Sequence, residues 1–331
     1  MTIEVEREYD GQVWDAVLAE STGSTCFHSA AVLRLCADQL DATLHPFIGY
    51  KGQEPVGLFP LFELQKGPVT GVFSPPPELK IPYLGPTLTQ PETLKPRKRE
   101  QWNYRFVEAV LDSVERDINP RFTNVRTTPT YGDERPFVWS GYDVTPRYTY
   151  RLDLTPDEDE LLTSFNREAR RAVTEHVGSV DIAVATEAEV DRILTGVAGR
   201  HDEKDADYHF PRSFATRLYR MLPDDTLQAY VCRQDGELCG GMLTFEDEDT
   251  GYGWQSYGDL TRSVPVSDLL FWHAFREAKS RGCTTFDLVG ANDRGLARYK
   301  AKFAPELHRY QALNRGTNYA KGAVKLYSYL R

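Results

Sequence analysis

Apolar positions recur at helical or alternating spacing along most of the chain, and their order predicts an α/β protein. Val13, Trp14, Val17 and Leu18 repeat at helical spacing, and a second helix is predicted over 29–40. Residues 44–50 and 56–64 read as strands around Lys51-Gly52-Gln53-Glu54, a hairpin signal. The basic stretch ETLKPRKREQWNY and its continuation to Val114 predict a helix through Trp102, Phe106, Ala109 and Val110, followed by a strand over 122–127. A proline-punctuated crossing leads to an alternating strand over 148–154. Thr155-Pro156-Asp157-Glu158 then reads as a helix start, with threonine as cap and acids in the first turn. That helix carries Asn166, Arg167, Arg170 and Arg171, and a strand (177–184) and a helix (187–200) come next. From Ser263 to Tyr310 the pattern is densest. Leu269, Leu270, Trp272, Phe275 and Ala278 predict a helix over 268–280, capped by Asp268 and ended by Arg281-Gly282. A buried strand follows over 284–289, closed by Gly290, and a second helix carries Arg294, Arg298, Lys300 and Lys302.

One unit recurs. Residues 44–63 align without gaps to residues 227–246, an offset of 183. Extending back to Phe27 and Phe210 gives ten identities in 37 positions, among them Arg34/Arg217, Asp41/Asp224, Glu54/Glu237, Gly57/Gly240 and Phe62/Phe245. Chance would give about two, so a duplicated helix, strand, turn, strand unit is predicted. The expected division is a first domain over 1–147 and a second over 148–331.

Charge changes the picture in two places. The chain carries a formal net charge of −10, yet from Arg276 to Arg331 twelve basic residues face four acidic ones. A basic segment on an acidic protein attracts the phosphates of RNA or coenzyme A, the alternative being a solvated helix face. On the predicted helix after Thr155, Arg167, Arg170 and Arg171 lie at i, i+3 and i+4, so three guanidinium groups share a face suited to phosphate or carboxylate. The five cysteines show no CxxC pair or zinc spacing and read as buried free thiols of a reducing compartment. MTIEVEREYDG has no apolar signal-type run and no segment reaches the length of a membrane span, so a cytoplasmic protein is expected.

Several features suggest chemistry. Phe73-Ser74-Pro75-Pro76-Pro77 and IPYLGPTL form a rigid loop whose Tyr83 is expected at a ligand cleft, or else in a mere connector. Asp287, at a strand end beside a turn, is placed to accept a proton, or simply to cap the turn. His273, between Trp272 and Ala274, reads as a structural histidine. His201, Asp202, Asp205 and His209 offer a metal cluster on spacing alone, and no metal is expected. There is no Walker loop, GxGxxG or GxSxG, which removes the kinase, dehydrogenase and serine hydrolase readings.

YTYRLDLTPDEDELLTSFNREARRAVTEH, HFPRSFATRLY, the repeated hairpin and DLLFWHAFREAKSRGCTTFDLVGANDRGLARYKAKFAPEL together resemble the FemAB/FemX-type transferases, tandem members of the GNAT acyltransferase superfamily. The resemblance is strongest over 148–312, and the duplication extends it to the first domain. It implies an α/β fold of mixed sheets in two tandem GNAT-like domains, an acceptor side over 1–147 and a donor side over 148–331. It also implies transfer of an aminoacyl group from tRNA, or an acyl group from a thioester, to an amine. In bacterial members that amine belongs to a peptidoglycan precursor held between the domains. No permanently bound cofactor is expected, only the co-substrate, aminoacyl-tRNA or acyl-CoA.

Residue by residue, the "GL…YK" motif places Gly295, Leu296, Tyr299 and Lys300, with Arg294 and the arginines 167, 170 and 171 toward the donor. Lys300 is the expected oxyanion or phosphate partner, with Asp287 as its catalytic companion. Lys302, about 200° round an ideal helix from Lys300, is expected to point away. Tyr83, Gly85 and Pro86 resemble the loop of the acceptor half. One departure stands out. The pyrophosphate loop of acetyl-CoA enzymes is glycine-rich, whereas DLTRSVPVSDLL has no glycine between Asp259 and Asp268, which disfavours ordinary coenzyme A binding. The alternatives are an acetyl-CoA-dependent N-acetyltransferase and a non-catalytic RNA- or glycan-binding protein of the same fold.

Overall fold

The duplication fixes the architecture, and it is visible in the strand register. The computed structural model describes residues 2–89, 93–202 and 208–316. β3 (Thr43–Lys51) and β4 (Glu54–Lys66) form an antiparallel hairpin in which Leu44 faces Phe62 and Gly49 faces Gly57. β10 (Leu227–Gln234) and β11 (Glu237–Glu246) repeat it, Leu227 facing Phe245 and Cys232 facing Gly240. Even the irregularity is copied. The register slips between Gly49 and Tyr50 in one hairpin and between Cys232 and Arg233 in the other, again 183 residues apart. The tight turns use positive φ at Gly52 in the first copy and at Asp235 and Gly236 in the second. The shared glycine has a steric cause, since a Cβ at Gly57 would strike the Thr87 carbonyl and one at Gly240 the Val266 side chain.

The chain forms two compact units, residues 1–147 with 309–331, and residues 148–308. In the first, β1 (Glu4–Arg7), β3, β4, β5 (Val69–Ser74), β7 (Phe122–Arg126) and β14 (Glu306–Gly316) lie side by side in that order. All neighbours are antiparallel except β5 and β7. The short β2 (Ser21–Thr22) and β6 (Thr87–Thr89) pair with each other, and β6 also joins β4. Helices α1 (Gly11–Ala19) and α2 (Ala30–Leu40) precede the hairpin, and α3 (Pro96–Asp117) and α4 (Arg135–Trp139) flank β7 in sequence. Phe47, Phe59, Phe106, Val125, Phe137 and Leu313 centre the core.

The second unit has the same plan. β9 (Asp181–Val184), β10, β11, β12 (Thr250–Gly258), β13 (Thr285–Asp287) and β8 (Asp143–Asp153) follow in order, with only β12 and β13 parallel. α7 (Glu187–Asp202) and α8 (Arg212–Met221) precede its hairpin, α9 (Val266–Ser280) precedes β13, and α10 (Arg294–Lys300) follows it. The last strand of the first unit's sheet thus comes from the far end of the chain, and that of the second unit from its own opening segment. β14 pairs with β7 of the first unit, so the second unit ends at His308 and not at the chain end.

The helix predicted after Thr155 is two helices. Asp157, not Thr155, caps α5 (Glu158–Ser164), and Phe165 is extended. Asn166 then caps α6 (Arg167–His176), its side chain accepting from the Ala169 amide. All five cysteines are free. No helix among the described residues is long and apolar enough to cross a membrane.

Candidate active site in the second unit

A cleft of about 1050 Å³ opens beside the start of α9. Its walls are one face of α6 along its whole length, the loop from Gly258 to Val266, and Ser267, Asp268, Tyr299 and Lys302. Four elements bring these together. Phe303 is fully buried against Phe165, Phe271 and Phe275, with ring centroids 5.3, 5.4 and 5.5 Å away. This draws residues Ala301–Phe303 into a 3₁₀ turn directly after α10. The Asn166 amide donates to the Lys302 carbonyl at 2.8 Å, tying the start of α6 to that turn.

Lys302 and Asp268 face each other in this wall, 7% and 4% exposed. Lys302 Nζ donates to Asp268 Oδ1 at 2.5 Å, and Tyr299 Oη donates to the same oxygen at 2.8 Å. The ammonium also lies 4.1 Å from the Tyr299 ring centroid. Burial, and then the Asp268 charge, hold the Tyr299 phenol well above its ordinary value, so it stays a proton donor across the physiological range. Asp268 does not cap α9 as expected. Pro265 stands at the N-cap without a side-chain bond, and Asp268 in the first turn is the hub of the lysine and tyrosine.

The cations at the cleft differ in availability. Arg171 is engaged by Glu175 at 2.7 Å in an exposed pair, and Arg262 by Glu237 at 2.8 Å and Asp259 at 3.3 Å. Arg167 makes no ion pair among the described residues. Arg170, predicted on the same face, turns away and donates to the Thr163 carbonyl at 3.2 Å. The break at Phe165 brings that carbonyl within reach. In the loop, the amides of Leu260, Arg262, Ser263, Val264 and Ser267 make no hydrogen bond among the described residues, whereas those of Asp259 and Thr261 are bonded to Cys239 O and Asp259 Oδ1. The Val266 amide is bonded to Val264 O at 2.9 Å, and those of Asp268 and Leu269 to Pro265 O at 2.9 and 3.2 Å.

Lys300, expected to reach a ligand, closes α10. Its Nζ donates to the carbonyls of Val289 and Gly290 and does not line this cleft. Asp287 is 1% exposed, and its Oδ1 accepts from Thr149 Oγ1 at 2.6 Å and from the Val289 amide at 2.8 Å. It caps the turn in which Val289 takes φ +51°. Lys302, expected to point away, is the buried lysine of the cleft. Arg294 and Gly295 are exposed at the start of α10, outside the cleft.

Tyr83, Gly85 and Pro86 are buried in the first unit. Tyr83, expected to be open to a ligand, is 1% exposed with its ring edge-on to Tyr310 at 4.8 Å. Gly85 takes φ +85° and donates to Ser74 Oγ at 3.0 Å. His273 packs edge-on against Tyr230 at 4.8 Å, a structural role. The His201–His209 segment lies partly outside the described residues, and no metal-binding group occurs among the described ones.

Burial lowers the Lys300 amine to about 8, partly offset by Asp287. A free lysine titrates near 10.4, so between about pH 8 and about pH 10 the unfolded chain holds more protons than the folded one. Stability is therefore expected to rise with pH across that window. Urea midpoints for the wild type and Lys300→Met check this: the rise should vanish in the variant, and an unchanged rise would assign it to other groups.

With this geometry in place, residues 162–301 match the model of the Acetyltransferase (GNAT) domain. The chain has the fold of tandem GNAT proteins. FemX superposes with a TM-score of 0.72 at 12% identity, over 93% of this chain and 96% of that one. L-PGS from Bacillus licheniformis follows at 0.57 and 13%, over 98% of each. A tandem GNAT protein from the clavulanic acid biosynthesis pathway, solved without AcCoA, gives 0.53 and 13%, over 95% and 98%. No curated protein sequence matches the chain.

Proposed function

We propose that the protein is an acyl-transfer enzyme that moves an aminoacyl group from tRNA to an amine, with the donor held by the second unit. One observation carries this reading, the α9 cleft lined by Arg167, Arg171 and Lys302, whose loop has no glycine between Asp259 and Asp268. Attack of an amine on an ester builds negative charge on the carbonyl oxygen and leaves an alkoxide that needs a proton. Tyr299, kept protonated, passes its proton to that alkoxide by exchanging its bond to Asp268 for one to the leaving oxygen. The proton shed by the attacking nitrogen restores the phenol, and Lys302 supplies positive charge beside it. Arg167 and Arg171 offer guanidinium groups to the phosphates of the donor. Lys300 and Asp287 are positioning residues in this reading, because they hold the turn after β13. The likeness to FemX, higher than that to the other tandem GNAT protein, supports the aminoacyl reading. The acceptor is an amine of a small molecule, peptide or cell-envelope precursor.

The match to an acetyltransferase domain favours a second reading, acetyl-CoA as donor. Incubation with an amine acceptor mixture and either labelled aminoacyl-tRNA or labelled acetyl-CoA separates the two. Acid-stable, amide-linked label is expected from the aminoacyl-tRNA and not from acetyl-CoA. Amide label from acetyl-CoA alone would establish the second reading, and label from neither would favour a non-catalytic protein.

A further inference from the structure

Helix α3 begins with a charge arrangement that opposes its own stability. Lys95 is its N-cap without a cap bond, Arg97, Lys98 and Arg99 follow, and the first turn holds no acid. Cations at a helix N-terminus are repelled by the helix dipole and by one another. Lys95, Arg97 and Arg99 are exposed and make no ion pair among the described residues, in a chain whose net charge is −10. Lys98 Nζ lies 4.7 Å from the ring centroid of Trp102, which is 2% exposed and whose indole N–H has no hydrogen-bond partner among the described residues.

Beside these cations stands an aromatic platform. Tyr104 lies one stripe along the helix from Arg97, and the Trp139 ring of α4 meets it edge-on at 5.3 Å. Trp139 is 62% exposed, an unusual place for the largest apolar ring. Arg105 lies 5.1 Å from the Tyr104 ring centroid and Arg135 lies 5.8 Å from that of Trp139. Three of the local carboxylates are already taken, Glu108 by Arg105 and both Glu100 and Asp133 by Arg135, while Glu134 at the start of α4 makes no ion pair among the described residues. The unpaired positive charge is therefore that of the start of α3.

We propose that this face of the first unit, from Lys95 to Trp139, is a binding surface for single-stranded RNA. Phosphates meet the unpaired cations, and an unpaired base stacks on Trp139, since base–aromatic stacking asks only for an exposed ring. An anionic membrane would also satisfy the cations, but it requires an apolar stripe to insert. The apolar face of α3 is buried, and Val138 and Trp139 are the exposed large apolar side chains of α3 and α4. The surface goes beyond the donor reading and does not require it.

Fluorescence anisotropy with a short labelled oligoribonucleotide, over a salt series, tests the proposal without turnover. The triple variant Arg97→Gln/Lys98→Gln/Arg99→Gln is expected to lower the slope of log affinity against log salt by about 2, roughly 0.7 for each cation removed. Trp139→Ala is expected to weaken binding about tenfold with the slope unchanged. Neither variant should lower the unfolding midpoint, because one removes repulsion at a helix N-terminus and the other an exposed ring. Arg167→Gln/Arg171→Gln is the cleft control: it removes the cations offered to the donor, and the part of oligonucleotide binding that depends on Trp139 and the start of α3 should survive it. Loss of binding in that control alone would place RNA only in the second unit and overturn the surface proposal while supporting the donor cleft. No binding at low salt, or equal binding by all variants, would overturn it outright. Binding to phosphatidylglycerol vesicles that depends on Trp139, with none to the oligonucleotide, would make the face a membrane surface.

Discussion

Lys302→Met is expected to abolish transfer and to cost about 3–5 kcal/mol of stability, the usual penalty for stranding one partner of a buried ion pair. The carboxylate left behind is Asp268, 4% exposed and then bonded only by Tyr299 among the described side chains. Glu168 does not change this, because it lies 3.9 Å from Lys302 and is itself largely exposed. The double variant Asp268→Asn/Lys302→Met removes both charges, so most of the stability should return while transfer does not. That split separates a structural clasp from a catalytic cation. Denaturant midpoints for the two single variants and the double variant give the coupling directly. A loss under about 1 kcal/mol in the single variant, the range of a surface pair, would show that the lysine is solvated and the site misplaced.

The exchange between Lys300 and Lys302 shows where sequence reading ends. An ideal α-helix continued past Lys300 sends Lys302 to the far side. It does lie on another side, since the 3₁₀ turn at Ala301, with about three residues per turn, keeps the two lysines apart. Burial of Phe303 among Phe165, Phe271 and Phe275 turns the Lys302 side, not the Lys300 side, to the cleft. Tyr299 and Lys302, three apart, then share a side and meet at Asp268, more than thirty residues earlier in the chain. No local pattern encodes that meeting. The hairpin repeat, in contrast, was legible because its identities sit where the fold is least tolerant, at the turn, at a glycine pressed by its neighbours and at inward phenylalanines. The pairing of β14 with β7 was not legible, since strands nearly two hundred residues apart leave no periodic trace. The arginine face was legible in part. Arg167 and Arg171 line the cleft, whereas Arg170 was lost to a helix break written only in the capping preference of Asn166.

The second large effect concerns the donor. Arg167→Gln/Arg171→Gln is expected to weaken donor binding at least about tenfold, close to 1.4 kcal/mol, with folding intact. The discount from two full charge-assisted bonds reflects Arg171, whose guanidinium is exposed and already shared with Glu175. Loss of these guanidiniums should raise the KM for the donor and leave kcat nearly unchanged, because in the proposed reading they meet the donor phosphates and not the reacting carbonyl. Equal falls in kcat and kcat/KM would place them at the reaction centre instead. The donor can also be tested by equilibrium binding alone. Calorimetry of an RNA 3′-end fragment carrying its amino acid through a stable amide, against acetyl-CoA, should give binding of the fragment by the wild type, at least about tenfold weaker binding by the double variant, and weak or no binding of acetyl-CoA. Sub-micromolar acetyl-CoA binding with none of the fragment would contradict an aminoacyl-tRNA donor in the α9 cleft.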